Sequence, residues 1–221
     1  MEKKFVEIVF ILDRSGSMEG LEKDTIGGFN GMIAKQKKEE GKVFISTVLF
    51  DDRTEVLHDR VDLEDIQPMT EKEYYVRGST ALLDAVGGAI HHIGLIHKYA
   101  RKEDRPDKTM FVIMTDGYEN ASRQYRYEDI RRMIERQKEK YGWEFMFIGA
   151  NMDAISEAAK YGINADMAVE YCCDSAGTAV SYDALGDAVS AMRVCGAVPV
   201  GWKKKIVKDY KNRKRKGGFW R

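Results

Sequence analysis

Apolar runs of strand length alternate with helical patterns along most of the chain. Phe5 to Leu12 is rich in β-forming residues, and Val43 to Phe50 has the same character. Thr109 to Met114 and Trp143 to Ile148 are nearly all apolar, and Met167 to Tyr171 is a weaker candidate. Runs that do not alternate with polar residues mark strands buried on both faces, as in a parallel sheet enclosed by helices. Thr54 to Val61 follows the second run across Asp51-Asp52-Arg53 and reads as its hairpin partner. Helical spacing fills the intervals. Leu21, Thr25, Phe29 and Ile33 mark a first helix, followed by polar Lys35 to Glu40 and Gly41 as a stop. Leu82, Val86, Ile90, Ile93 and Ile96 mark a second, running toward Ala100. Tyr127, Ile130, Ile134 and Tyr141 mark a third, ended by Gly142. Shorter helices fit Asp153 to Tyr161 and Ser181 to Val194. Gly27, Gly28 and Gly31 weaken the first helix and suit a close approach to the sheet. The expected fold is α/β, a doubly wound, mostly parallel central sheet with helices on both faces.

Composition narrows the class. The chain has 221 residues, 33% charged and 43% hydrophobic, and its 36 Lys and Arg balance 36 Asp and Glu. A long disordered chain needs lower hydrophobicity and a larger net charge, and a membrane span needs about 20 apolar residues in a row. The start, Met1-Glu2-Lys3-Lys4 before an apolar run, mimics a short signal peptide, but Glu7 interrupts the run and no small-residue cleavage site follows. A cytoplasmic location is expected. Cys172, Cys173 and Cys195 form no disulfide framework and no Cys-x-x-Cys pair, and core packing is their expected role.

The zero net charge hides a division. Residues 202–221 hold ten basic residues and one acidic residue, a charge of +9, which leaves −9 on residues 1–201. A domain over 1–201 and a basic aromatic tail over 202–221 are therefore expected. In the tail, Trp202, Ile206 and Tyr210 fall on one helical stripe, Lys203, Lys204, Lys205, Arg213, Lys214, Arg215 and Lys216 supply charge, and Phe219-Trp220 lies near its end. Such a segment suits a polyanion (nucleic acid or an anionic surface) or an acidic protein. The alternative is a solvated tail that folds back on the acidic domain.

Ligands of an open α/β sheet gather at the carboxyl ends of its strands, and there this sequence places small polar residues. The first strand runs into Asp13-Arg14-Ser15-Gly16-Ser17-Met18, one carboxylate and two hydroxyls at alternate positions. The fourth ends in Thr115-Asp116-Gly117, and Gly78-Ser79-Thr80 precedes the second helix. Oxygen-only ligands suit a hard divalent cation, Mg²⁺ before Mn²⁺ or Ca²⁺. Two carboxylates cancel the ion's charge. If one acts through water, the ion's open side favours a further anionic oxygen, which a Glu or Asp of a partner protein would supply. A Gly-x-x-x-x-Gly-Lys nucleotide loop is absent from the sequence.

At these residues the sequence resembles the von Willebrand factor type A family, whose metal-ion-dependent adhesion site uses Asp-x-Ser-x-Ser after the first strand, a Thr before a helix and an Asp after the fourth strand. Asp13, Ser15, Ser17, Thr80 and Asp116 fill those positions in that order. The stretches Phe10 to Met18 and Thr115-Asp116-Gly117, with Glu119-Asn120, are similar to bacterial members in particular. The resemblance spans about residues 4–198. It implies an antiparallel edge strand, as the Thr54 to Val61 hairpin would provide. It also implies a metal whose last position is filled by a partner's acidic side chain, and no catalytic activity. Stand-alone bacterial members tend to act inside assemblies, ring-shaped ATPases among them.

Two other chemistries compete. Asp13 after a first strand, beside Mg²⁺, suits a phosphoryl-accepting nucleophile, but phosphohydrolases of that kind usually place a second Asp two residues on, and Ser15 stands there. His91, His92 and His97 share a helix, yet their separations of one, five and six miss the spacing of about three or four that zinc pairs use on a helix. Asp84, one turn after Thr80, is a candidate to orient a metal-bound water or to favour the helix N-terminus by charge. Glu119, near Asp116, is a candidate for the same outer role or a solvated loop acid.

Overall fold

The computed structural model describes residues 5–216. Six strands form one sheet: β1 (Val6–Asp13), β2 (Val43–Phe50), β3 (Thr54–Asp62), β4 (Lys108–Thr115), β5 (Glu144–Ala150) and β6 (Ala168–Tyr171). Their order is β3-β2-β1-β4-β5-β6, with every pair parallel except the β2–β3 hairpin at one edge. The helices are α1 (Glu22–Gln36), α2 (Leu82–Tyr99), α3 (Tyr127–Tyr141), α4 (Ala154–Lys160), α5 (Ser175–Cys195) and α6 (Lys204–Lys216). The expected doubly wound fold with an antiparallel edge is what the chain adopts.

All eight residues of β1 are buried, and they divide by parity. Val6, Ile8, Phe10 and Leu12 face a core with Phe29 of α1 and Leu185 of α5. Val9 and Ile11 face a second core with Val86 and Ile90 of α2 and Ile130 and Ile134 of α3. The period-2 alternation of a strand thus feeds two apolar layers, and each fully buried aliphatic or aromatic side chain adds about 1.5–3 kcal/mol. Glu7 is a buried charge within the apolar run of β1. Its carboxylate takes hydrogen bonds from Arg60 Nε at 2.6 Å and from the His97 ring. His92 meets Asp59 at 2.9 Å, so these two histidines serve packing and pairing.

Helix ends differ from the sequence expectation where distant groups decide them. α1 stops at Gln36, before Gly41, because Arg193 of α5 reaches its carboxyl end. Arg193 Nη1 donates to Gln36 O at 2.6 Å and Nη2 to Glu39 O at 2.8 Å, answering carbonyls the helix leaves open. α5 begins at Ser175, six residues earlier than its apolar period suggests, because the Asp174 carboxylate caps it by accepting from Gly177 N at 2.8 Å. Gly28 serves helix packing rather than approach to the sheet: a Cβ there would lie 2.3 Å from the Tyr182 ring of α5, while Gly27 and Gly31 face open space. The three cysteines are free, and of them Cys173 packs against the first core while Cys195 does not meet the core-packing expectation. Cys172 and Cys173 are half-buried beyond the end of β6, and Cys195 is exposed at the end of α5.

The charge boundary at Gly201 is not a packing boundary. Trp202 is 5% exposed and Ile206 1%, both within the core that holds β1 and α5. The Trp202 indole donates to Asp166 O at 2.9 Å. The apolar stripe expected of a binding tail is therefore spent inside the protein, and α6 packs on α5 and β6. The cations follow. Lys205 pairs with Asp183 at 2.6 Å and Asp187 at 2.7 Å, and Arg213 with Asp174 at 2.5 Å and Asp209 at 2.9 Å. Lys203 caps Ala168 O at 2.7 Å, Tyr210 donates to Glu170, and Lys214 lies over the Tyr210 ring at 4.4 Å. Arg215 and Lys216 continue the helix, and Phe219-Trp220 lies outside the described residues. Ile206→Val is expected to cost about 1 kcal/mol, or about 2–4 °C in melting temperature. An unchanged midpoint in thermal denaturation would mean that α6 is not docked.

Candidate functional site

The carboxyl ends of β1 and β4 lie side by side, since the two strands pair from Val6 with Lys108 to Leu12 with Met114. That register brings the loop after Asp13 against the loop after Thr115. Asp13, Ser15, Thr80 and Asp116 are all buried, and Ser17 is exposed, so the cluster opens to solvent on the Ser17 side.

The hydroxyls form a chain. Thr80 Oγ1 donates to Ser15 Oγ at 3.1 Å, Ser15 Oγ lies 3.1 Å from Ser17 Oγ, and Ser17 Oγ donates to Asp116 Oδ1. Asp13 sits behind this chain. Its Oδ1 accepts from Ser15 N at 2.7 Å and its Oδ2 from Thr115 Oγ1 at 2.5 Å. Burial pushes the Asp13 carboxyl up to about 6, against the pull of hydrogen bonds from Ser15 and Thr115. The structure thus brings all five expected residues together.

Backbone contacts hold the three loops in register. Gly16 N donates to Gly78 O at 3.1 Å and Arg77 N to Arg14 O at 3.0 Å, tying the β1 loop to the segment before α2. Thr80 is clamped by Asn120, whose Oδ1 accepts from Thr80 N at 2.9 Å and whose N donates to Thr80 O at 3.0 Å. Asp84 and Glu119 hold the rim. Asp84 accepts from the backbone N–H groups of Arg123, Gln124 and Tyr125 at 2.9–3.0 Å. Glu119 accepts from Leu83 N at 2.9 Å, Ala121 N at 2.9 Å and Ser122 N at 2.7 Å. These two carboxylates brace the 119–125 loop against α2.

Three contributors escaped the sequence reading. Arg14, the unassigned residue of Asp-x-Ser-x-Ser, is fully buried: Nε meets Asp51 at 2.8 Å and Nη2 meets Glu55 at 2.7 Å. Thr115 orients Asp13. Cys173 donates its thiol to Asp116 Oδ2 at 3.4 Å, and burial pushes that thiol up to about 12, so it sits at the rim as a neutral donor. A vicinal cysteine pair at the end of a weak strand carries no signal of this contact in the sequence. The pairing of β4 with β5 and of β5 with β6 brings Cys173 to Asp116.

The donor set can be tested against a cation. A Cβ on Gly117 would lie 3.1 Å from both Ser17 Oγ and Thr80 Oγ1 and 4.0 Å from Ser15 Oγ. The three hydroxyls therefore converge on one small space that a glycine leaves open, flanked by two carboxylates. Among the described residues no cluster of three or more His, Cys, Asp or Glu side chains is placed to hold a metal. Any ion here must rely on hydroxyl oxygens, which fits a hard cation better than a soft one.

A doubly wound sheet with an oxygen cluster at its carboxyl edge is the class of domain these features define. Its fold is that of von Willebrand factor type A domains. A von Willebrand factor type A protein from Catenulispora acidiphila is 18% identical, matching 84% of this chain and 42% of that one with a TM-score of 0.55. The vWF domain of a type V pili tip protein from Porphyromonas gingivalis is 11% identical over 86% of this chain and 96% of that one, TM-score 0.59. Proximal thread matrix protein 1 of the mussel byssus, with a zinc-occupied adhesion motif, is 13% identical over 83% of this chain and 45% of that one, TM-score 0.55. The chain spans less than half the length of the first and third of these. No family model and no curated protein matches the sequence.

Proposed function

We propose that this chain is a divalent-cation-dependent protein-interaction module without catalytic activity. Asp13, Ser15, Ser17, Thr80 and Asp116 would hold Mg²⁺, with Mn²⁺ or Ca²⁺ as substitutes. The observation that carries the reading is the convergence of three hydroxyls beside Gly117, between two carboxylates. The bound ion supplies a positive centre on the exposed Ser17 side. The chain's own residues do the rest: Asp13 contributes charge from behind, Thr115 and Ser15 N fix its orientation, and Asn120 fixes Thr80. A Glu or Asp carboxylate of a partner protein is the expected occupant of the open side, because two carboxylates neutralise the ion without satisfying all its positions. Three unpaired thiols suit a reducing, cytoplasmic setting.

Titration of Mg²⁺ and Mn²⁺ into the protein, read by calorimetry, is the direct test. Saturable binding is expected, and Gly117→Ala should weaken it about tenfold, or about 1.4 kcal/mol, by filling the space between Ser17 and Thr80. Identical heats from both proteins would refute this placement of the ion.

A further inference from the structure

A second cleft lies between α2 and α3, away from the carboxyl edge of the sheet. Its volume is about 510 Å³, within the range of small-molecule sites. Lys98, Arg105 and Arg136 line it, and no Asp or Glu does. In a chain whose first 201 residues carry −9, that is a local inversion of sign.

Of these cations Arg105 is held in place, and Lys98 Nζ lies over the Tyr99 ring, 5.0 Å from its centroid. Arg105 Nε donates to Ala100 O at 3.0 Å and Nη2 to Lys98 O at 3.4 Å, so the guanidinium answers the open carbonyls at the end of α2 and stays fixed there. Arg136 is exposed and makes no ion pair or hydrogen bond among the described residues. Trp143, 5% exposed, forms part of the wall, and Tyr141 is exposed at the rim.

We propose that this cleft binds a small organic phosphate monoester. The phosphate dianion meets Lys98, Arg105 and Arg136, for which guanidinium forks and an ammonium are matched donors. The organic body lies against Trp143 and Tyr141. This site is independent of the cation site.

Amide chemical shifts of the ¹⁵N-labelled full chain, without divalent cations, test the assignment with three probes: adenosine monophosphate, inorganic phosphate and adenosine. Saturable shifts are expected at Gly94, Gln137 and Tyr141, with the monophosphate at least tenfold tighter than phosphate and adenosine inactive. Arg136→Ala, at an exposed position, should weaken both anions about tenfold. Tyr141→Ala, also at an exposed position, should weaken the monophosphate and leave phosphate unchanged. Shifts confined to Lys204, Lys208 and Lys211 of α6, no saturation at millimolar monophosphate, or indifference to Arg136→Ala would each overturn the site. Equal affinity for phosphate and monophosphate would overturn its organic half.

Discussion

Asp13→Asn is expected to stabilise the metal-free protein while abolishing its response to Mg²⁺. Asp13 is 1% exposed, and burial places its carboxyl near 6 rather than near the unfolded value of 3.8. A raised folded value means that ionisation opposes folding. The penalty is full above about pH 6 and fades as pH falls toward 4. It is worth about 2–3 kcal/mol at neutral pH, so the variant should melt about 5–10 °C higher than the metal-free parent. Asparagine fits the pocket without orphaned atoms. Its Oδ1 keeps the bond from Ser15 N, and the Thr115 hydroxyl, which also reaches Gly117 O at 3.0 Å, can turn to accept from the new amide. The same charge that costs stability would attract the ion, so below pH 6 metal affinity should fall about tenfold per pH unit. Thermal shift at pH 5 and pH 7.5, with and without Mg²⁺, separates these effects. A variant that melts below the parent at pH 7.5, or still gains from Mg²⁺, would contradict this account of the site.

Arg14→Met should have the opposite sign and a larger size. Arg14 bridges Asp51 and Glu55, its Nη1 donates to Glu73 O at 3.3 Å, and its guanidinium stacks over Tyr75 at 5.1 Å. Removing one partner of a buried ion pair typically costs about 3–5 kcal/mol, because the other charge stays buried. Arg77 Nε, 2.8 Å from Asp51, softens that loss. Burial would raise the Asp51 carboxyl, but hydrogen bonds, chiefly from Arg77 with Asp52 and Arg14 adding, hold it below the usual carboxylate range. Stability from Asp51 is therefore present at neutral pH and lost on acidification through that lowered value. The variant should melt about 6–15 °C lower. Because Ala81 N donates to Asp51 O at 2.8 Å, it should also loosen Thr80. Chemical denaturation checks the first effect, and metal calorimetry of the folded variant checks the second. A change below about 1 kcal/mol would show that Arg14 is dispensable.

The contrast between these residues shows what sequence can carry. Asp13, Ser15 and Ser17 were legible because their spacing is local and follows a strand whose apolar run is itself legible. The sheet was legible for the same reason, since β1, β2, β4 and β5 are continuous hydrophobic runs bounded by turns. Arg14 looked like a spacer because its partners lie 37 and 41 residues away, and only the parallel pairing of β1 with β2 and the hairpin to β3 brings them together. The early start of α5 and the end of α1 were missed likewise. A capping carboxylate and an arginine from another helix decided them, and neither leaves a period in the chain. Asp84 and Glu119 were noticed for their charge. Their oxygens answer backbone N–H groups, a use that depends on loop shape rather than residue type.

β1, the first strand in chain order, lies between β2 and β4 in the sheet. Its second neighbour, β4, begins about a hundred residues later, and the core on one face is completed only by Trp202 and Ile206. Contacts of such long range close late and slow the search for the native state. On a chain emerging from the ribosome, β1 would be held open along one edge until about a hundred further residues had been made, a hydrophobic ribbon waiting for its partner. The oxygen cluster is built across that same late seam. The cluster does not exist until β1 has found a strand made about a hundred residues later.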